Sequence, residues 1–450
     1  MAERHKGRCL NGDDMGLGKT MQSTHAAEYY RHGGTAIVIC PNPVKYGWQT
    51  EIAKHTGLDS YVCNGRQPPA NAPKPTKLPP YIIINWEILD GWVEYLMQID
   101  ASVAILDEVQ YAKNLQAQRT KAMIKVCNNI KYIFPLSGTP IENGPMEFYP
   151  ILHLMWPDEF PSKRQFGMRY CNPVFTRWGI QYKGATRMRE LNSRLRQLGW
   201  VRRLRTEVLD QLPPIQRVTV PIQLKQYGKY RKAETNFIKW LHKHKPTKAR
   251  RLTKSAAFAM VRLNTLLQIA AELKIKDVFE WIDNFLATTN EKLCVYGHNR
   301  DFLEKIHARY KSQSVLYYGG LSHKKREHAK DTFVKDPKCR LFIGSILAAG
   351  TGINGLQTVC SKILVAQLYW VGVKLLQLEG RLWRIGQMNP VTAYYMVADR
   401  TAELFMAYAI WEKQGYLNKI LDGKSSKKHE FSVLERVFKQ FYKKRQKGKR

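Results

Sequence analysis

The sequence is poor in acidic residues. Its 450 residues include 37 Asp and Glu against 72 Lys and Arg, which leaves a formal net charge of +35. An excess of this size on a globular chain indicates a polyanionic partner, and nucleic acid is the first candidate. Composition alone also permits a basic protein that is merely soluble or that binds acidic membrane surfaces.

Long apolar runs and paired cysteines are also missing. No uninterrupted apolar stretch approaches the roughly 20 residues that a membrane-spanning helix needs, so no membrane partner is expected. The eight cysteines are scattered singly, without a C-x-x-C pair and without a secretory signal ahead of them. This usage predicts reduced, structural cysteines in an intracellular protein, cytoplasmic or nuclear according to the organism.

Compact apolar runs are present in two sets, and helical patterns such as residues 118–127 lie between several of them. Each run suits a strand that is buried on both faces, and the alternation with helices predicts parallel sheets in an α/β fold. The runs are residues 36–40, 81–84, 103–106 and 132–134 in the first set, and residues 293–296, 315–317, 340–343, 363–365 and 391–397 in the second.

The two sets predict two lobes with helical protrusions between them. Residues 1–214 form the first lobe, with a helical and basic appendage from about residue 157. Residues 215–286 are predicted to be a mainly helical connector, and residues 287–423 the second lobe. Residues 424–450 are expected to be a basic, solvated tail.

One glycine-containing stretch near the amino terminus is typical of a phosphate-binding loop. Gly16 and Gly18 allow the backbone to approach phosphate oxygens, and amides at the start of the following helix would point at the anion. Lys19 would meet the outer phosphates, and Thr20 could bind magnesium. The predicted nucleotide-binding residues are Asp13, Asp14, Met15, Gly16, Leu17, Gly18, Lys19 and Thr20. Asp13 stands where the strict pattern has its first glycine, and a plain glycine turn is the alternative.

Adjacent acids follow the third run of the first set. Asp107 could hold magnesium, and Glu108 could orient or deprotonate the water that attacks the γ-phosphate. An exposed acidic turn is the alternative. Residues 136–140, Leu-Ser-Gly-Thr-Pro, follow the next run and supply small hydroxyl side chains that could sense the γ-phosphate.

The second lobe carries a small-residue loop and a pair of arginines. Residues 344–354 are suited to a close approach to a backbone or phosphate, and a plain turn is the alternative. Arg381 and Arg384 are three residues apart, so they are predicted to share a helix face and to reach one anion. An ordinary charged surface would have acids nearby, whereas these arginines are bracketed by glutamines and apolar residues, which favours arginine fingers.

With these segments in place, the chain resembles the switch/sucrose-nonfermenting ATPase family of helicase superfamily two. The segments that resemble its motifs I, Ia, II, III, IV, V and VI are residues 13–20, 39–41, 107–110, 136–140, 295–299, 345–354 and 377–387, respectively. Residues 166–171 and 201–209 look most like the HepA-related annealing-helicase branch. The departures include Asp14 where Glu is usual, Gln110 where His is usual, and Trp383 where His is common.

The resemblance implies two RecA-like lobes with ATP and Mg²⁺ in the cleft. It implies an ATP-dependent translocase that moves on duplex or branched DNA, which it holds mainly through phosphates. Thr20 and Asp107 would bind the metal. The residues with an implied catalytic role are Asp107, Glu108, Gln110, Gln377, Arg381 and Arg384.

Two other functions remain open at this point, a strand-separating DNA or RNA helicase and a non-catalytic DNA-binding derivative. The adenine-contacting glutamine of the family lies well upstream of motif I, and twelve residues precede Asp13 here. A partner polypeptide, or a longer natural chain, would have to supply that segment. Discrimination between nucleotide bases is therefore expected to be weak.

Overall fold

The computed structural model describes residues 7–74, 77–177, 179–182, 184–235, 256–350 and 352–407, together with Ile410 and Leu421. Two compact units contain Met1–Leu212 and Pro213–Lys413, respectively. The predicted tail, residues 424–450, lies outside the described residues.

A seven-stranded parallel sheet forms the centre of the first unit. Its strands are β1 (Leu10–Asn11), β2 (Thr35–Cys40), β3 (Ser60–Val62), β4 (Tyr81–Asn85), β5 (Ala101–Asp107), β6 (Tyr132–Leu136) and β9 (Trp200–Val201). The strand order is β3-β4-β2-β5-β6-β1-β9. Every residue of β2 and β4 is buried, as expected for apolar strands that are covered on both faces. The four strands predicted for this lobe are confirmed.

Helices connect these strands. They are α1 (Lys19–Arg31), α2 (Lys45–Thr56), α3 (Val93–Met97), α4 (Gln118–Cys127), α5 (Tyr149–Met155), α6 (Lys163–Tyr170), α7 (Met188–Leu198) and α8 (Arg205–Val208). The predicted helix over residues 118–127 is confirmed as α4.

The appendage predicted from about residue 157 needs a correction. It contains α6, α7 and an antiparallel hairpin of β7 (Pro173–Thr176) and β8 (Gly179–Tyr182). The chain then returns to the main sheet, because β9 pairs in parallel with β1. A backbone ladder, not helix packing alone, therefore attaches this segment to the first sheet.

A second parallel sheet forms the centre of the other unit. Its strands are β10 (Ile215–Ile222), β11 (Leu293–Gly297), β12 (Ser314–Tyr317), β13 (Leu341–Ser345), β14 (Lys362–Val365) and β15 (Val391–Ala398), in the order β10-β15-β14-β11-β13-β12. The helices are α9 (Tyr227–Thr235), α10 (Ala256–Thr288), α11 (Arg300–Arg309), α12 (His323–Lys335), α13 (Ile346–Gly350) and α14 (Gly372–Leu382). The α/β class with two parallel sheets is thus confirmed.

The predicted connector, residues 215–286, is not separate from the second lobe. Its first segment is β10, which pairs with β15 over eight residues. Residues of α10, including Ile269 and Val278, belong to the same apolar core as Val295 of β11. The helical periodicity was correct for α10, but an apolar helix buries its face against the nearest sheet instead of bridging two lobes.

Leu421, which the prediction placed in the second lobe, contacts the first unit. The side-chain amide of Asn192 in α7 donates a hydrogen bond of 3.0 Å to the Leu421 carbonyl. Within the described ranges, none of the helices is both long enough and apolar enough to cross a membrane.

Candidate nucleotide site and arginine segment

The loop between β1 and α1 has the backbone geometry of an anion cradle. Gly16 and Gly18 have φ angles of 84° and 72°, which residues with a side chain rarely adopt. Gly18 is the amino-terminal cap of α1, and in the described structure no side chain caps this end. The first amides of α1 therefore keep hydrogen-bonding capacity for an anion.

Lys19 begins α1 and turns back over the loop. Its Nζ donates to the carbonyls of Asp13 at 2.8 Å and Asp14 at 3.0 Å. Burial lowers the pKa of Lys19, while the negative charges of Glu108 and Asp14 oppose that shift. The ammonium group therefore lies in a partly desolvated position beside these acids, where a phosphate would be a favourable partner.

The carboxylates of Asp13 and Asp14 bind arginines that follow β9. Asp13 is fully buried and forms an ion pair with the Arg203 guanidinium; it also accepts a hydrogen bond of 3.0 Å from the Arg203 backbone N–H. Arg205 Nε donates to Asp14 Oδ2 at 2.9 Å. Burial alone would raise the pKa of Asp14, but the charges of Arg205 and Arg202 outweigh it and the pKa is lowered. These two acids therefore shape the loop, and its backbone is the part suited to phosphate.

Asp107 ends β5 and is fixed by two tryptophans. The Trp48 indole N–H donates to Asp107 Oδ2 at 2.9 Å, and the Trp86 indole N–H donates to the Asp107 carbonyl at 2.9 Å. Burial and the neighbouring charge of Glu108 raise the pKa of Asp107 to about 7. A bound divalent cation would favour the ionised form of this carboxyl.

Glu108 has an unusual backbone conformation for a residue with a long side chain. Its φ is 51°, in the left-handed region, and such residues are concentrated at functional sites. Its carboxylate accepts a hydrogen bond from the Gln110 side-chain amide. Gln110 is buried, and its Oε1 accepts a hydrogen bond of 2.7 Å from the Ser137 hydroxyl. Predicted motifs II and III are therefore directly joined.

The loop after β6 contains a buried hydroxyl that has no hydrogen-bond partner among the described residues. The Thr139 backbone N–H donates to Ser137 Oγ at 3.0 Å, but Thr139 Oγ1 is buried without a hydrogen-bond partner in the structure. A buried polar atom without a partner costs free energy. This observation fits a loop that acquires a further polar partner when a ligand binds.

The residues present fit ATP and magnesium. The cradle amides and Lys19 suit phosphates, while Thr20 in the first turn of α1 and the Asp107 carboxylate suit a hard cation. The described residues contain no group of three or more His, Cys, Asp or Glu side chains that could hold a metal. Magnesium commonly keeps several water ligands and binds substrate phosphates, so a site with two protein oxygens fits it.

In the second unit, Arg381 and Arg384 converge on the end of α13 and the loop that follows it. The Arg381 guanidinium donates to the carbonyls of Gly350 and Ile353, the latter at 3.3 Å. Arg384 Nη1 donates to Asn354 Oδ1 at 2.6 Å. Predicted motifs V and VI are thus brought together within this unit.

The predicted shared helix face of the two arginines is wrong. Helix α14 ends at Leu382, and Trp383 leaves the helical conformation with φ −87° and ψ 80°. The Trp383 indole N–H donates to the Pro213 carbonyl at 2.7 Å. Arg384 therefore lies in the turn beyond the helix.

Buried polar contacts hold α14. Gln377 is buried, and its Oε1 accepts a hydrogen bond of 3.1 Å from Lys374 Nζ. Glu379 is also buried and forms a two-point ion pair with Arg217 of β10, at 2.8 and 2.7 Å. The Tyr395 hydroxyl of β15 donates to the same carboxylate at 2.6 Å.

Residues 1–275 match the family described as the SNF2-related domain. The chain belongs to the SNF2-related family. The resemblance inferred from the motifs is therefore confirmed for the family. Among curated relatives, the SWI/SNF-related matrix-associated actin-dependent regulator of chromatin subfamily A-like protein 1 of Xenopus laevis is 31% identical over 422 residues, which cover 91% of this chain and 42% of that protein.

A second curated relative is the DNA annealing helicase and endonuclease ZRANB3 of Homo sapiens. It is 27% identical over 440 residues, covering 95% of this chain and 40% of that protein. The chain therefore spans about two fifths of the length of these relatives. A solved structure, the Sulfolobus solfataricus SWI2/SNF2 ATPase core in complex with dsDNA, aligns with a TM-score of 0.43 at 22% identity, over 97% of this chain and 93% of that chain.

Several residues around the site were not predicted from the sequence. The sequence places the arginines at 202, 203 and 205 in a basic appendage and in the segment 201–209 that resembles the annealing-helicase branch, without a role at the nucleotide site, and it gives no role to Trp48. The sequence does indicate that Asp13 and Asp14 have basic partners, because they are adjacent acids in a chain with a large excess of basic residues. Such acids have many possible partners, and the sequence does not say which arginine is near.

Proposed function

We propose that this chain is the motor of a DNA-dependent ATPase, which uses ATP with Mg²⁺ to move along DNA. The observation that carries the proposal is the arrangement at the carboxyl edge of the first sheet. There Lys19, which follows the glycine cradle, interacts electrostatically with the adjacent acids Asp107 and Glu108. This edge is where α/β sheets bind their ligands.

The cradle amides and Lys19 bind the phosphates, and Thr20 and Asp107 bind magnesium. Glu108 orients the attacking water and accepts its proton, with Gln110 holding the carboxylate in place. Magnesium supplies charge neutralisation on the β- and γ-phosphates when bound.

Arg381 and Arg384 supply positive charge to the transferred phosphoryl group during hydrolysis. Their attachment to one loop means that the loop and both arginines would respond together to nucleotide. Because Glu108 belongs to the first unit and both arginines belong to the second, hydrolysis is proposed to require residues of both units.

DNA as the partner is supported by the net charge of +35 and by the name of the human relative, a DNA annealing helicase. Binding through backbone phosphates favours duplex or forked DNA with little dependence on base sequence. A partner polypeptide that completes the nucleotide site is also proposed, and an intracellular location, cytoplasmic or nuclear, follows from the substrate.

The test is ATP hydrolysis by the purified chain with duplex DNA, forked DNA, single-stranded DNA, RNA or no nucleic acid. We expect duplex or forked DNA to stimulate hydrolysis most. Glu108→Gln should abolish turnover while ATP still binds, whereas Glu94→Gln, an exposed acid in α3, should behave like the unsubstituted protein. Absence of hydrolysis under all conditions would refute the proposal.

The second candidate is a strand-separating helicase. Displacement of a third strand from a DNA triplex reports movement without strand separation, and unwinding of a forked duplex reports separation. Triplex displacement without unwinding is the expected result. Stimulation by RNA, together with RNA unwinding, would favour the alternative.

A further inference from the structure

The segment after β9 runs alongside the phosphate loop. β9 pairs with β1, and the ladder continues beyond both strands: the Gly12 N–H donates to the Val201 carbonyl at 2.7 Å and the Asp14 N–H to the Arg203 carbonyl at 2.9 Å. The amino-terminal arm of the cradle is therefore held by a strand that lies about 190 residues later in the chain.

Arg202 lies in the middle of this ladder and joins two loops. Its Nη1 donates to the Gly12 carbonyl at 2.7 Å and to the Gly138 carbonyl at 2.8 Å. Gly12 precedes the cradle, and Gly138 lies between the hydroxyl residues of the loop after β6. A single guanidinium nitrogen thus connects the phosphate loop to the loop that is suited to sense the γ-phosphate.

The two loops touch closely at this junction. A Cβ atom on Gly138 would lie 3.0 Å from Met15 Cγ and 3.2 Å from the Asp13 carbonyl oxygen. A Cβ atom on Gly12 would lie 1.9 Å from Trp200 Nε1. The loop after β6 therefore approaches the phosphate loop closely at Gly138, one of the two residues to which Arg202 donates.

The connection extends to Glu108. Ser137, next to Gly138, donates to Gln110, and Gln110 donates to the Glu108 carboxylate. One chain of contacts therefore runs from the phosphate loop through Arg202 and the loop after β6 to the acid that is proposed to activate water.

The charge of Arg202 also acts on the cradle. Burial is the main reason that the pKa of Lys19 is lowered, and the positive charge of Arg202 contributes in the same direction. Arg202, together with Arg205, also lowers the pKa of Asp14 against the effect of burial. Both effects place this guanidinium within electrostatic range of the phosphate-binding groups.

We propose that Arg202 is a positioning residue of the ATP site, which ties the phosphate loop to the loop after β6 and thereby sets both nucleotide affinity and the orientation of Glu108. The inference rests on the proposed ATPase function and adds to it a residue that acts through its hydrogen bonds to the two loops. Arg203 and Arg205, by contrast, bind carboxylates of the cradle itself.

The test compares Arg202→Ala with Arg202→Lys. The alanine variant loses both hydrogen bonds, and we expect its Kd for a fluorescent ATP analogue, measured with Mg²⁺ and without turnover, to rise about tenfold, with a similar fall in kcat. A lysine keeps the charge and can donate to the same carbonyls, so Arg202→Lys should recover most of both losses. Arg189→Ala, which removes an exposed arginine in α7, is the matched control and should change neither quantity.

Gly138→Ala is an independent variant that disturbs the same junction from the other side. It should also weaken ATP binding, and the double variant with Arg202→Ala should be about as weak as either single variant, because both break one connection. If Arg202→Ala does not fold, as judged by its thermal unfolding, Gly138→Ala and Arg202→Lys decide the question.

The outcomes separate the inference from the function on which it rests. An unsubstituted protein that binds no ATP would overturn both. A protein that binds and hydrolyses ATP normally, but whose Kd and kcat are unchanged by Arg202→Ala or by Gly138→Ala, would overturn the inference alone. Additive losses in the double variant would also overturn it.

Discussion

Replacing Asp107 by Asn should stabilise the ligand-free protein, and the gain should grow with pH. The folded protein raises the pKa of Asp107 to about 7, chiefly by burial, whereas an unfolded Asp has a pKa of about 3.9. A carboxyl with a raised folded pKa costs no stability below its unfolded pKa. The cost grows as the pH rises from the unfolded pKa to the folded pKa, and it is complete above the folded pKa.

The size of this effect follows from the pKa difference. Each pH unit between the two pKa values costs about 1.4 kcal/mol, so the interval from pH 5.5 to about 7 corresponds to about 2 kcal/mol. Asparagine carries no charge and can still accept the hydrogen bond from Trp48 through its amide oxygen. The difference between the unfolding free energies of Asp107→Asn and the unsubstituted protein should therefore increase by about 2 kcal/mol from pH 5.5 to pH 8.

Urea unfolding at several pH values, with EDTA and without nucleotide, measures this difference. Asp90→Asn, which removes an exposed acid of the same unit, is the control and should show no such trend. Adding Mg²⁺ and ATP should stabilise the unsubstituted protein more than Asp107→Asn, since the metal needs the carboxylate. A difference between the two proteins that stays constant or shrinks as the pH rises would refute the reasoning.

Three further predictions concern the charged groups. Arg384→Ala should lower kcat by a factor of about a thousand while ATP binding persists, as measured by single-turnover hydrolysis; near-normal turnover would contradict its role as an arginine finger. The logarithm of DNA affinity should fall with the logarithm of salt concentration, with a slope of about −0.9 per phosphate contact, and should change little with base sequence; a flat dependence would contradict phosphate binding. Arg205→Met should destabilise the protein by about 1–3 kcal/mol at pH 7, because Asp14 loses its partner, and this difference should disappear as the pH falls through the lowered folded pKa of Asp14. Urea unfolding at pH 7 and in acid checks this, and an equal loss at both pH values would contradict it.

The strands could be predicted because each carries its own signal. The runs at residues 36–40 and 81–84 are apolar throughout, since both of their faces are buried. Strand β9 has only two residues, Trp200–Val201, and a segment of that length shows no periodicity. Its place beside β1 depends on pairing between segments that are distant in sequence, which local patterns do not specify.

The same distinction applies to the candidate site. Asp107 ends β5, Glu108 follows it, and Lys19 lies beyond the loop after β1, so their approach at one edge of the sheet follows from the parallel topology. The pairing of Asp13 with Arg203 depends on how a distant segment returns to the sheet. The predicted position of Arg384 was wrong because spacing alone assumes that the helix continues. In the structure α14 ends at Leu382, and Trp383, the next residue, donates a long-range hydrogen bond to Pro213.

The buried ion pair of the second unit permits a separate prediction about how α14 is held. The Arg217→Met variant would leave the buried Glu379 carboxylate with one hydrogen-bond partner among the described residues, the Tyr395 hydroxyl. An uncompensated buried charge costs about 3–5 kcal/mol. Adding Glu379→Gln to the Arg217→Met variant removes that charge and keeps an oxygen that can accept the Tyr395 hydrogen bond. The double variant should therefore be more stable than Arg217→Met alone, as measured by urea unfolding of the full chain at pH 7.5. Lys225→Met, which breaks an exposed ion pair with Glu280, is the control and should destabilise the protein far less than Arg217→Met. If the double variant were less stable than Arg217→Met, charge burial would not be what makes Arg217 necessary.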